Sequence, residues 1–329
     1  MYHLLSRPWL RWLAISMFAF TALAAAAGAR TEASSTSDAD RPLSVVATTT
    51  IVGDLVRQVG GDRIELHVLI APGGDPHTYQ ATPRDGRVLA GADAVFANGA
   101  GLEDRFLEDL VANVDARLVV DLAEGTPLRV LGDDDEDNHH DDDEDNHHEH
   151  GGVDPHVWLD PVIVASWPAR IAETLGSLDG TSAGFYRARA REISAEIDEM
   201  HQWAQRELAS IPREARVLVT DHDSFGYFAD RYGFSVVGTV IPGVSTVEEP
   251  SARELVALRQ VILQHGVPAL FVGVGLSGGA VAQSTAEDLG IELVSLYSGS
   301  LSEAEGPASS YLELIRYNVQ AIADALGSG

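Results

Sequence analysis

Twelve histidines are spread along this chain, and no cysteine accompanies them. Five sit in one acidic stretch. DDDEDNHH runs from Asp133 to His140, repeats from Asp141 to His148, and is closed by Glu149 and His150. Imidazole is a borderline ligand that suits zinc, copper, nickel and iron. His139, His140, His147, His148 and His150 among carboxylates therefore make many weak, exchangeable metal sites. Acidity alone would give only a solvated linker; the histidines turn the reading to metal capture. The stretch Asp133–His150 contains no apolar residue. It cannot offset the entropy of ordering and is expected to be a disordered loop.

His3 lies in the N-terminal segment, which leaves His67, His77, His156, His201, His222 and His265. Three of these share a context. His77 follows the apolar run Ile64–Ile70 in a turn rich in Gly and Pro. His156 stands in VDPHVWLDP, and His222 comes two residues after the run Arg216–Thr220. Open α/β sheets bind ligands outside the carboxyl ends of their strands, so His77, His156 and His222 are candidate ligands of a single ion. His67 alternates within a strand, His201 lies on a long helix, and His265 is near a helix C-terminus, where a cation is favoured. Three imidazoles favour a borderline metal such as Zn²⁺ over hard Mn²⁺ or Ca²⁺. Binding is expected to weaken below about pH 6.5, where free imidazole takes a proton. Asp75, Asp154, Asp160, Asp221 and Asp223 flank these histidines. Asp75 could cap a turn; the other four could do likewise or accept from the second nitrogen of a ligating imidazole. Asp160 and Asp223 are the candidates for the second role.

The elements that must position these residues follow from the apolar pattern. Arg7 and Arg11 precede the apolar run Trp12–Ala27, and Ala27-Gly28-Ala29 offers a cleavage site. Residues 1–29 read as a cleaved secretory signal, since the run is short for a spanning helix. Residues 30–41 read as a flexible leader. Without cysteine there is neither a disulfide nor a lipid-bearing N-terminal cysteine, which points to a soluble periplasmic protein. The formal net charge is −28, with Arg as the only base besides His; the acidic insertion holds 11 acids, leaving −17 elsewhere. Nucleic acid and acidic membrane surfaces are poor candidate partners, and a cation is a natural one.

The rest is long enough for two domains of ordinary size. Strands are predicted at Ser44–Thr49, Ile64–Ile70, Ala94–Asn98 and Arg117–Leu122, alternating with helices at Ile51–Val59, from Asp85, and at Leu102–Val111. After the insertion, Val162–Leu175 reads as one helix. Thr181–Ile211 has the strongest helical period, with Phe185, Ile193, Ile197, Met200 and Leu208 near one stripe. Alternation then resumes from Arg216 and closes with a helix over Tyr311–Leu326. The fold class is α/β: two lobes with mainly parallel sheets, over 42–180 and 212–329, joined by a single long helix over 181–211.

GGDPHTYQATPRD, NGAGLEDRFLEDL, DPHVWLDP, TDHDSFGYFADRYGF, VSTVEEPS and SSYLELIRYNV occur in this order. Together they resemble the zinc/manganese solute-binding proteins of bacterial ABC transporters, from about Ser44 to the C-terminus. The resemblance implies two α/β lobes bridged by a rigid helix, with the metal in the interlobe cleft. It implies His77 and His156 as ligands from the first lobe and His222 from the second. A His-rich acidic insertion before the second ligand is typical of zinc-specific members. Two departures stand out. LYSGSLS carries Gly299 where the family often has an acidic ligand, and FVG carries Gly273 where a Glu is common. The fourth position then falls to water or another acid, with Glu303 and Glu305 as nearby candidates. The function implied is a monomeric, periplasmic, high-affinity Zn²⁺ receptor that delivers to a permease with a cytoplasmic ATPase. A metal buffer or adhesin without a transporter is an alternative with the same fold. A zinc hydrolase is another, but there is no HExxH.

Overall fold

Short apolar runs form two parallel sheets of four strands. In the first, β1 (Leu43–Ala47), β2 (Ile64–Val68), β3 (Ala94–Ala97) and β4 (Val119–Asp121) lie in the order β2-β1-β3-β4. In the second, β5 (Val217–Thr220), β6 (Ser235–Thr239), β7 (Ala269–Gly273) and β8 (Glu292–Leu296) lie in the order β6-β5-β7-β8. Val45 pairs with Leu66 on one side and Ala94 on the other, while Gly273 pairs with Leu296. Helices cover the faces of such sheets, so the inner strands are continuously apolar. In both sheets the strand order reverses beside the first strand, which opens a crevice at the carboxyl ends. This computed structural model describes residues 41–112, 119–131, 152–276 and 278–327. The expected secretory signal, the leader as far as residue 40, and the acidic repeat with its five histidines lie outside the described residues.

The helices are α1 (Thr50–Gly60), α2 (Pro83–Ala90), α3 (Leu107–Ala112), α4 (Pro161–Val164), α5 (Trp167–Leu178), α6 (Ala183–Leu208), α7 (Gly226–Tyr232), α8 (Ala252–His265), α9 (Gly279–Leu289) and α10 (Tyr311–Gly327). Local chemistry sets several starts. Thr49 accepts from the Val52 N–H at α1, and Thr82 with Asp85 forms a reciprocal capping box at α2. α6 is the long connecting helix, with 26 residues, or roughly 39 Å at 1.5 Å per residue. Tyr186, Ala190, Ile193, Ile197, Met200, Ala204 and Leu208 form its buried stripe. Tyr186, not Phe185, continues that stripe; Phe185 is half-buried and stacks under Arg63. α6 joins the two lobes through one apolar core that runs from Val45 in β1 to Leu326 in α10.

Two expected helices differ. The one expected over Leu102–Val111 begins only at Leu107, because Gly99, Ala100 and Gly101 all have positive φ and turn the chain first. The one expected over Val162–Leu175 is split into α4 and α5. Pro168 has no N–H to reach back to Val164, and the helical ladder breaks there.

The lobes meet through a polar seam as well as the core. Thr50 Oγ1 lies 3.2 Å from Ser300 Oγ and accepts from the Leu301 N–H. Ser300 Oγ also accepts from the Gly73 N–H. Asp54 Oδ2 accepts from the Tyr311 N–H at the start of α10, and Trp158 Nε1 donates to the Ser298 carbonyl at 2.7 Å. Among the described residues, no helix is long and apolar enough to cross a membrane.

Candidate metal centre

Each histidine of the trio hangs from a loop at the carboxyl end of a sheet, and an aspartate just before it shapes that loop. Asp75 Oδ1 accepts the His77 N–H, and its Oδ2 accepts from Thr246 Oγ1 at 2.6 Å. Asp154 Oδ1 accepts both the N–H and the Nδ1–H of His156, at 3.0 and 2.8 Å. Asp221 Oδ1 does the same for His222, at 2.9 Å in both cases, while its Oδ2 accepts the Gly273 N–H at 2.7 Å. Asn98 donates to the Pro155 carbonyl and so fixes the peptide before His156. The edge of Trp158 backs the His156 ring, with centroids 5.1 Å apart.

These supports bring three rings together across the lobes. His77 Nε2 and His222 Nε2 lie 3.1 and 3.2 Å from His156 Nε2. His156 and His222 are buried, and His77 is partly exposed. Among the described residues, no other cluster of three His, Asp or Glu gathers its ligand atoms this closely. A tetrahedral zinc site with Zn–N of about 2.0–2.1 Å sets its nitrogens roughly 3.3 Å apart, close to the spacing here. A carboxylate that accepts from Nδ1 leaves the Nε2 lone pair free and pointing at the centre.

Burial governs the electrostatics. It lowers the His77 pKa to about 2, helped by His156, His222 and Arg105. His156 is also lowered by burial, against the opposing pull of Asp154. Burial alone would raise Asp154, but its bonds from His156 and Arg129 outweigh that and leave it below the ordinary carboxylate value. Burial thus opposes protonation of His77 and His156 in the metal-free site. A cleft of about 590 Å³ leads from solvent to His77, with Asp104, Asp121, Glu124 and Arg105 on its walls. Its acids suit a cation's approach.

Several assignments need correction. Asp160 does not touch an imidazole: its two oxygens take the Arg231 fork at 2.8 and 2.6 Å. A bidentate guanidinium engages both oxygens of a carboxylate, and Oδ1 also accepts the Val162 N–H. Asp223 makes no bond to a ring nitrogen either; burial raises its pKa, and it feels His156 and His222 only through space. The roles assigned to these two belong to Asp154 and Asp221. Glu303 and Glu305 are exposed in the tight turn closed by the Gly306 N–H to the Glu303 carbonyl, away from the gathered histidines. A Cβ at Gly299 would meet Pro76 and Leu276 at 3.3 and 3.4 Å, whereas one at Gly273 would collide with Leu276 and Ser298. Arg129, which grips Asp154 Oδ2 at 2.9 Å, has no signal in the sequence, since it stands 25 residues from its partner. The supporting aspartates do have one: D-P-H and D-H place the acid one or two residues before the ring.

Comparison with known proteins agrees with this architecture. Residues 45–325 match the family described as zinc-uptake complex component A, periplasmic. The zinc-binding protein TroA of Treponema pallidum is 31% identical over 294 residues, covering 87% of this chain and 89% of that protein. The manganese-binding lipoprotein MntA of Bacillus subtilis is 29% identical over 294 residues, covering 88% and 91%. The solved structure of the periplasmic zinc-binding protein TroA superposes with a TM-score of 0.76 at 29% identity, covering 87% of this chain and 99% of the other. The match over nearly all of the described chain places it in the family of periplasmic component A proteins of zinc-uptake complexes.

Proposed function

We propose that this protein is an extracytoplasmic receptor that holds one Zn²⁺ between His77, His156 and His222 and hands it to the permease of an ABC-type importer. The chain is a metal-binding, solute-binding component of an ABC transporter and not an enzyme. One observation carries the finer reading. Three Nε2 atoms converge from two lobes, two of them with their tautomer set by a buried aspartate. Relatives are named for zinc or for manganese, so the choice of zinc rests on the donor set. Three neutral nitrogens, with no acid in the cluster among the described residues, favour a borderline ion over a hard one. A water or small anion completes a four-coordinate site.

The test is titration of chelator-stripped protein with Zn²⁺ and Mn²⁺. Tight binding of one Zn²⁺ equivalent, and much weaker Mn²⁺ binding, is expected. His77→Ala, His156→Ala and His222→Ala should each lose tight binding. His201→Ala should not, because His201 on α6 is occupied with the Tyr232 hydroxyl of α7. Wild-type affinity in any of the first three variants would overturn the assignment.

A further inference from the structure

The guanidinium of Arg129 touches both lobes and reaches a buried support of the metal centre. Its Nη1 donates to Asp154 Oδ2 and its Nε to Asp230 Oδ2, both at 2.9 Å. Its backbone is tied to the same two places. The Arg129 N–H donates to the Tyr227 hydroxyl, and the Arg129 carbonyl accepts the Asp154 N–H. Tyr227 in turn donates to the Asp154 carbonyl. Tyr227 and Asp230 belong to α7, which begins four residues after His222. A Cβ at Gly226 would collide with the guanidinium and with the Asp154 carboxylate, so glycine there is what lets α7 come this close.

Asp154 has no exposed side-chain surface. Its Oδ1 serves both N–H groups of His156, and Arg129 is the partner of its Oδ2. Without the guanidinium, a buried carboxylate oxygen loses its partner, and the group gains freedom to turn and exchange its two oxygens. The Nδ1–H bond that aims His156 Nε2 loosens with it. We propose that Arg129 is a positioning residue of the metal centre: its fork makes the orientation of His156 depend on α7 of the second lobe staying docked. Separation of the lobes then weakens the grip of His156 in the same movement that carries His222 away. The inference rests on the reading that the trio binds the ion. It adds a residue that touches no metal and makes the two half-sites release together.

The experiment measures metal release from the full chain loaded with Co²⁺ or Zn²⁺, by stopped flow into excess chelator, together with the visible Co²⁺ spectrum. Arg129→Met should speed release about tenfold, the lower end of what loss of an outer support costs, and should shift the Co²⁺ bands. Arg129→Lys keeps a charge beside Asp154 but cannot hold both acids; it should restore the bands and only part of the slow release. Asp230 is 68% exposed and touches no histidine. Asp230→Asn should speed release about threefold, the scale of an exposed ion pair, and add nothing in the Arg129→Met background. Wild-type release in Arg129→Met, or additive effects of the two changes, would overturn the proposal. Should Arg129→Met not fold, Asp230→Asn decides alone, and an unchanged release rate overturns it. Failure of the proposed function would look different: His156→Ala would then leave tight metal binding intact.

Discussion

An imidazole binds a metal through whichever nitrogen its neighbours leave bare, and here two aspartates make that choice. Asp154 and Asp221 each use one oxygen for the backbone and Nδ1 of the next histidine. Asp154→Asn and Asp221→Asn should each weaken zinc binding 10- to 100-fold by calorimetry, with the fold retained, as loss of such outer partners generally does. The pH dependence carries a second prediction. His77 has its folded pKa lowered to about 2, while in the unfolded chain it titrates near the ordinary imidazole value of 6.5. Below about pH 6.5 the unfolded state binds a proton that the folded apo state refuses, so stability is lost as pH falls. Comparison with His77→Ala removes the contributions of other groups. The apo wild type should lose thermal stability from pH 7 to 5 more steeply than the variant, and parallel curves would count against the buried neutral ring. At this scale the convergence of the three histidines is legible from D-P-H in the turn after Ile64–Ile70 and after the acidic insertion, and from D-H after Arg216–Thr220. Asp160 was not, because its partner Arg231 is 71 residues away, and proximity in sequence made it resemble the other aspartates.

Most elements follow from local pattern, and the ones that differ show what pattern omits. Burial on both faces makes β1, β3, β5 and β7 readable as apolar runs, and the stripe on α6 is readable from its period. The false start of α3 and the break between α4 and α5 depend on glycine conformation and a missing proline N–H, which hydrophobic spacing does not record. The strand ends hold the remaining question, the fourth coordination position. β7 ends at Gly273 and β8 leads to Gly299, and Leu276 lies against both. The two glycines differ in the room beside them. A side chain at 299 needs Pro76 and Leu276 to give by only a few tenths of an ångström, whereas one at 273 requires Leu276 and Ser298 to leave. Gly299→Asp should therefore fold and raise affinity for Mn²⁺ relative to Zn²⁺ by adding a hard oxygen donor. The wild-type Co²⁺ spectrum should change on adding azide, which can reach an open fourth position, and Gly299→Asp should abolish that change. Gly273→Glu should lower the thermal midpoint instead, the usual result of overpacking. Equal stability of the two variants would show that Leu276 does not set this wall.

At the scale of the whole molecule, the centre is one shared property of two lobes that are fastened at many points. Thr50 and Gly73 meet Ser300, Asp54 meets Tyr311, Trp158 meets Ser298, and Asp160 meets Arg231. α6 adds a continuous apolar core behind them. Such a frame leaves little need for the acidic His-rich insertion as a structural part, and the geometry of its base says the same. The chain is paired on the two sides of residues 132–151: Leu131 donates to the Gly152 carbonyl at 2.9 Å, Val130 bridges Val153, and Asp154 donates to the Arg129 carbonyl. Two ends held this close can be joined by a short turn at small entropic cost, because loop-closure entropy changes slowly with length. Replacing Asp133–His150 with a short Gly-Ser linker should leave the thermal midpoint and the single tight zinc equivalent unchanged. It should remove the weaker equivalents supplied by His139, His140, His147, His148 and His150, and slow capture when zinc is scarce, because those sites no longer concentrate the ion beside the acid-lined cleft. Calorimetry counts the equivalents, and stopped-flow association at submicromolar zinc reads the capture. Loss of the tight equivalent would mean that the insertion supplies a ligand to the centre, and the trio would then be an incomplete account of it.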